Sequence, residues 1–193
     1  MDERIKHLIN IFLLAVITLT FLYPWLNTAE HHSGDIVLYY LPRVEFLKQS
    51  IVEYSQFAPL WTPYYMGGAS YAGKPISPTF NYILGSLLLV MPTALGAIKY
   101  SIILGIILAG IFMYILTFHL LQDKKAAFLS AIVYMFNGYV IENIIHSGWM
   151  VFAYTYPLIP LLVYFSFKAI SKKYVFYSVL AGIVLALMIH AGA

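Results

Sequence analysis

Cysteine is absent from the 193 residues. That excludes disulfides, thiolate metal sites and cysteine nucleophiles, and it leaves the compartment open. Charge is almost as scarce. Asp, Glu, Lys and Arg make up 10% of the chain, against roughly a quarter in ordinary soluble domains. The net charge of +3 is spread over short connecting segments, so it carries orientation information and is not a nucleic-acid footprint. A nucleotide-binding motif is also missing. Gly67-Gly68 lacks the GKT-type continuation of a phosphate loop and serves instead for close backbone approach or positive φ.

What is present is apolar. Hydrophobic residues reach 62%, with 17 Tyr and 13 Phe, and the mean hydropathy is +0.82. A water-soluble fold of this size has no interior large enough for so much apolar surface. The bilayer must be the solvent, so the expected fold class is an all-α integral membrane protein, a polytopic helix bundle. A spanning helix needs about 20 apolar residues. The runs predict spans at about 8–26, 99–121, 126–142, 150–168 and 174–193. The first is too long for a signal-peptide core and lacks a clean cleavage site, so it is read as a signal anchor. The chain ends at His190-Ala191-Gly192-Ala193 inside an apolar run, which predicts an N-terminal portion whose C-terminal part is missing.

The run from Tyr82 to Ile98 decides the span count. If it does not cross, Arg4, Lys6, Lys124, Lys125, Lys168, Lys172 and Lys173 share one side, read as cytoplasmic with the N-terminus. Residues 27–98 then form one long outer loop, and that side keeps only Arg43, Lys48 and Lys74, with Lys99 at its edge, as cations. Within it, apolar spacing at Tyr40, Leu41, Val44, Leu47, Ile51 and Tyr54 predicts an amphipathic juxtamembrane helix at about 42–54. Pro42 is its first residue, and Arg43, Glu45, Gln49 and Glu53 lie on the other face. A second juxtamembrane helix is expected at about 78–91.

The candidate chemistry lies in that loop. Asp35 follows Ser33-Gly34, with Glu30, His31 and His32 close before it. A carboxylate there could be a general base on an acceptor hydroxyl. With Glu30, His31 and His32 it could instead hold a divalent cation, or it could simply cap a helix. Pro59-Leu60-Trp61-Thr62-Pro63-Tyr64 is aromatic-rich; Trp and Tyr favour membrane interfaces and also stack on sugar rings and lipid tails. Glu142, Asn143, His146 and Trp149 gather at the outer end of a span.

Several spaced motifs carry a resemblance. Gly34-Asp35, Tyr40-Leu41-Pro42, Pro59-Leu60-Trp61-x-Pro63-Tyr64, Gly67-Gly68 and Pro78 opening an apolar run resemble the first outer loop of the YfhO-type membrane proteins. They are equally similar to the membrane proteins labelled as related to 6-pyruvoyl-tetrahydropterin synthase. Phe136-Asn137-Gly138-Tyr139, His146-Ser147-Gly148-Trp149 and Tyr156-Pro157-Leu158 fit the same pattern. Both groups look like GT-C-fold glycosyltransferases. The resemblance implies a GT-C-like module with juxtamembrane helices in the first loop and Asp35 as catalytic base. The chain departs from the pattern where many such enzymes carry two close acidic residues, since only Glu30 lies near Asp35.

The expected activity is sugar transfer from a polyprenyl-phosphate carrier to an acceptor at the outer face of the cell (plasma) membrane. Arg43 is the first choice to meet the leaving phosphate, with Lys74, Lys99 or a divalent cation as further sources of charge. Trp61, Tyr64 and His146 are the remaining substrate-contact candidates. The amphipathic helix and the Pro78–Met91 segment would hold the isoprenoid tail. Membrane lipid and the donor are the expected partners. A transporter or flippase, and a non-catalytic membrane scaffold, are the rival readings. The first predicts ionisable residues in mid-span lining a path; the second predicts that Asp35 and Arg43 are replaceable.

Overall fold

The computed structural model describes residues 3–27, 34–56, 59–63, 67–70, 87–172 and 174–191. These residues are mainly helical, joined by short turns, with one pair of two-residue strands, β1 (Trp61–Thr62) and β2 (Ala69–Ser70), antiparallel with Trp61 opposite Ser70. Four helical segments are long and apolar enough to cross a membrane: Glu3–Asn27, Ala94–Leu121, Lys124–His146 and Met150–Ser171. Large apolar side chains such as Leu8, Phe12 and Ile170 stay exposed along them, as expected where lipid rather than water is the neighbour. The fifth expected span is a shorter apolar helix, Val175–Ala191, of 17 residues. At about 1.5 Å per residue it reaches roughly 25 Å, a little less than a hydrocarbon core.

Helix α1 (Glu3–Asn27) and helix α3 (Ala94–Leu121) lie antiparallel. Three sets of contacts fix this. At one end Glu3 pairs with Lys124, the residue that opens α4 (Lys124–Met135). One turn inward, the Tyr114 hydroxyl meets His7 Nδ1 at 2.8 Å and accepts a bond from Asn10 Nδ2 at 3.2 Å. At the far end Lys99 Nζ donates to the carbonyls of Trp25 and Leu26, each at 3.2 Å. Those carbonyls belong to the last turn of α1, where no intrahelical donor remains and the helix dipole is negative. Lys99, expected as a candidate phosphate ligand, is therefore buried and engaged in closing α1. Lys99→Met should cost about 1.5–3 kcal/mol, the range for hydrogen bonds to charged groups, with Lys99→Arg milder. Thermal unfolding of the purified protein measures both.

Helix α3 starts five residues before the expected boundary because Thr93 caps it, its Oγ1 accepting from Gly96 N at 3.0 Å. Residues 87–90 are helical and residues 91–93 are not, so the described part of the 82–98 run divides between a short helix and the start of α3. Residues 78–86 of the expected second juxtamembrane helix lie outside the described residues. Helix α3 turns tightly into α4 through Gln122 in the left-handed region and Asp123, whose carboxylate accepts from Lys125 N at 2.7 Å.

Two interruptions shape the return. After α4 the helix breaks at Phe136-Asn137. Asn137 stitches the break: its Oδ1 accepts from Val140 N at 3.0 Å, and its Nδ2 donates to Tyr134 O and the Tyr156 hydroxyl, both at 2.9 Å. Helix α5 (Gly138–Val140) then continues as a π turn, Ile141–His146. The second break falls at Tyr156-Pro157, between α6 (Met150–Thr155) and α7 (Leu158–Lys172), where Pro157 has no N–H to continue the ladder. Helix α8 is Val175–Ala191.

The bundle has two different ends. His119, near the end of α3, packs edge-on against Tyr164 and Phe167 of α7. Lys168 follows, over the rings of Tyr164 and Tyr177. Arg4, Lys6, Lys124, Lys125 and Lys168 thus share one end, as the charge asymmetry implied. The end of α1 and the start of α3 share the other.

Candidate functional site

At that second end, residues 34–54 form one helical rod built of a first turn, a π turn (Ile36–Tyr40) and α2 (Leu41–Tyr54). Sequence spacing placed Pro42 at the start of the helix. The regular α-helix begins one residue earlier, at Leu41, with Pro42 in its first turn, and a π turn that the spacing did not foresee continues the rod upstream. Leu41 N–H reaches back five residues to Ile36 O, and the widened turn gives the Pro42 ring room against the preceding carbonyls. The apolar stripe of α2 is buried as expected at Val44, Leu47 and Ile51. Two residues depart from the expected wheel. Tyr54 is exposed, and Arg43, assigned to the polar face, is buried.

The rod sets three groups together. Asp35 is exposed and lies in right-handed helical geometry, φ −72° and ψ −35°, with no side-chain capping bond. Helix capping therefore does not account for it. Tyr40, five residues on, is buried, with its hydroxyl near the backbone of Val151. Val151 stands in the first turn of α6, where N–H groups lack intrahelical partners. Arg43 lies a turn further, its guanidinium carbon 4.1 Å from the centre of the Tyr39 ring, a cation–π stack. Burial pushes the Tyr40 hydroxyl up to about 12, helped by the nearby Asp35 carboxylate, with Arg43 pulling the other way.

The pH consequence has a definite sign. A folded-state pKa above the free-tyrosine value means the folded chain holds the proton more tightly. The stability this contributes is complete below about pH 10 and is lost as pH rises towards 12. Between those limits the unfolding temperature of Tyr40→Phe should fall less steeply than that of the native chain, and a parallel fall would refute the assignment.

Next to Tyr40 lies Tyr154 of α6, whose hydroxyl donates to Ser101 Oγ at 2.6 Å, while Ser101 donates to Ile98 O at 2.7 Å. These two side chains form the polar end of an otherwise apolar cavity of about 140 Å³ between α3, α6, α7 and α8, lined further by Leu104, Leu108, Pro157 and Leu187. Sequence reasoning missed Tyr40, Tyr154 and Ser101 as site residues. The spacing signal read Tyr40 as one more apolar position, and a lone Ser or Tyr in an apolar run has no signature of its own.

The other expected residues fall as follows. His146 is exposed at the end of the π turn that leads into α6, as is Glu142, four residues before it. Both lie at the same end of the bundle as Asp35. Trp61 is not brought to Asp35; it stands beyond the opposite end of the rod, beside Tyr54 and Gln56. Glu30, His31, His32, Tyr64 and Lys74 lie outside the described residues. Asp35 is thus the one cation-ligand candidate that can be placed, and among the described residues no three His, Asp or Glu side chains converge. Compared with known proteins, the chain matches no family model, and no curated protein or solved structure is significantly similar to it.

Proposed function

We propose that the chain is the membrane module of a GT-C-like glycosyltransferase. It would take a sugar from a polyprenyl-phosphate donor and pass it to an acceptor hydroxyl at the outer face of the cell membrane, with its N-terminus in the cytoplasm. One observation carries the reading. An exposed carboxylate and a buried guanidinium flank Tyr40 on a single rod, beside an apolar cavity that ends in a Tyr–Ser hydroxyl pair.

The chemistry asks for that combination. Asp35 takes the proton as the acceptor oxygen bonds to the anomeric carbon. The bond from that carbon to the carrier phosphate breaks, and the phosphate leaves with its electron pair. Arg43 and Lys74 neutralise the charge that develops there; a divalent cation, where one is used, would be held by Asp35 with Glu30, His31 or His32 and would supply positive charge at the same place. The cavity between α3 and α6–α8 would offer the isoprenoid chain an apolar slot, beside the groove expected between the amphipathic helix and the 78–91 segment. His146 stands at the same end to contact the headgroup or acceptor.

The test is reconstitution of the chain in proteoliposomes with polyprenyl-phosphate-linked sugars. Acceptor-dependent release of polyprenyl phosphate is expected. Flux of the donor across the bilayer with no cleaved carrier would replace transfer by transport.

A further inference from the structure

Further along the rod, from Phe46 at roughly 16 Å to Tyr54 at roughly 28 Å from Asp35 at about 1.5 Å per residue, a separate pocket of about 580 Å³ opens towards the end of α2. It is lined by Ser50, Tyr54, Gln56, Pro59, Leu60 and Trp61 among others. Its size falls within the range of small-molecule sites. Trp61 and Tyr54 are 59% and 65% exposed. None of the described side chains lining the pocket carries a charge.

The chain spends structure on holding the indole. Trp61 sits in β1, paired with β2, and the turn between them returns through Gly67 and Gly68, both at positive φ. Gly68 abuts the benzo edge of the indole. A Cβ there would run into Cζ2 and come within 3.2 Å of both Cε2 and Cη2. The approach is at the ring edge, and Trp61 both lines the pocket and stays exposed. At the C-terminus of α2, Ser55 in the left-handed region turns the chain, with Gln56 N donating to Ser50 O at 3.1 Å. That turn brings an amide side chain to the same pocket as the two aromatic rings.

We infer that this pocket binds a neutral carbohydrate, through stacking on Trp61 and Tyr54 and hydrogen bonds to Gln56 and Ser50. Pyranose rings offer flat C–H faces to aromatic rings and hydroxyls to amides, and both kinds of partner are present. Among the described residues the lining is uncharged, and its aromatic and amide groups suit neutral sugars rather than phosphates or uronates. The separation from Asp35 means that the sugar held here is not the reacting one. It is a remote unit of an extended glycan, and the site stands whether or not Asp35 catalyses transfer.

The experiment uses the full chain in lipid nanodiscs free of sugar detergents, titrated calorimetrically with maltoheptaose and cellohexaose. Binding of at least one is expected. Trp61→Ala and Tyr54→Ala should each weaken it at least about tenfold, in the range of aromatic anchors, and Asp35→Asn should leave it unchanged. Should Trp61→Ala fail to fold, Tyr54→Ala at the exposed helix end carries the comparison. No binding of either oligosaccharide up to about 10 mM, or binding that neither variant weakens, overturns the inference. So does quenching of Trp61 by brominated lipid in a Trp25→Phe, Trp149→Phe background, which would make Trp61 a membrane anchor.

Discussion

Asp35→Asn lowers sugar transfer by about 10²–10⁴-fold, the contribution of a positioned general base, and leaves unfolding temperature and membrane insertion unchanged. The second half of that expectation rests on the geometry. Asp35 makes no capping bond and is exposed, so an isosteric amide removes charge without removing a structural contact. Donor binding persists, because Asn keeps the polar shape and the apolar cavity is untouched. The neighbouring Tyr40 supplies an internal control. Part of its upward pKa shift comes from the Asp35 charge, so Asn at position 35 moves the Tyr40 value down even where transfer is lost. Full transfer activity in the variant removes Asp35 from the mechanism.

The second large effect concerns the bundle itself. Gly105→Ala destabilises the protein, although alanine is the better helix former by about 1 kcal/mol. A Cβ on Gly105 would strike the carbonyl oxygen of Ala153, and a backbone group between two packed helices cannot swing aside as a flexible side chain can. Overpacking of that kind costs about 1–3 kcal/mol or more, which outweighs the propensity gain. Gly182, in α8, has nothing within 4 Å of its Cβ position, so Gly182→Ala should be neutral or raise stability by up to about 1 kcal/mol. Thermal unfolding of the two variants side by side reads the difference. Because Gly105 also lines the apolar cavity, its substitution should impair donor binding as well as stability.

Elements whose cause is local were legible in the sequence. Helices α1 and α3 follow from unbroken apolar runs, and the buried stripe of α2 follows from the spacing of Val44, Leu47 and Ile51. The sharing of one end by Arg4, Lys124 and Lys168 was implied by charge asymmetry alone. Features that depend on partners distant in sequence were not legible. Lys99 looked like a free cation near a headgroup, but its ammonium donates to two carbonyls at the end of α1, more than seventy positions earlier. The break at Asn137 needs the Tyr156 hydroxyl opposite it. Periodicity placed Pro42 in the first turn of the regular helix, where it lies, but did not foresee the π turn before it. Arg43 was assigned outward, although within α2 it stands four residues before Leu47 and seven before Ser50, both buried, so ordinary helical spacing carries it to the buried side.

Of the candidate site, Asp35 and Arg43 were named from sequence and share the rod with Tyr40. The hydroxyls of Tyr40, Tyr154 and Ser101 came into view only with the packing of α2, α3 and α6. Trp61, grouped with them from sequence, belongs to a different pocket.

The account depends on Asp35 and the basic helix ends facing opposite sides of a bilayer. A chain without cysteine makes this directly measurable by single-cysteine labelling in sealed cells with a membrane-impermeant maleimide. Gln56→Cys, exposed just past α2, should label from outside, and Lys125→Cys should label only after permeabilisation. Labelling of both from the same side would contradict the topology and, with it, the glycosyltransferase reading.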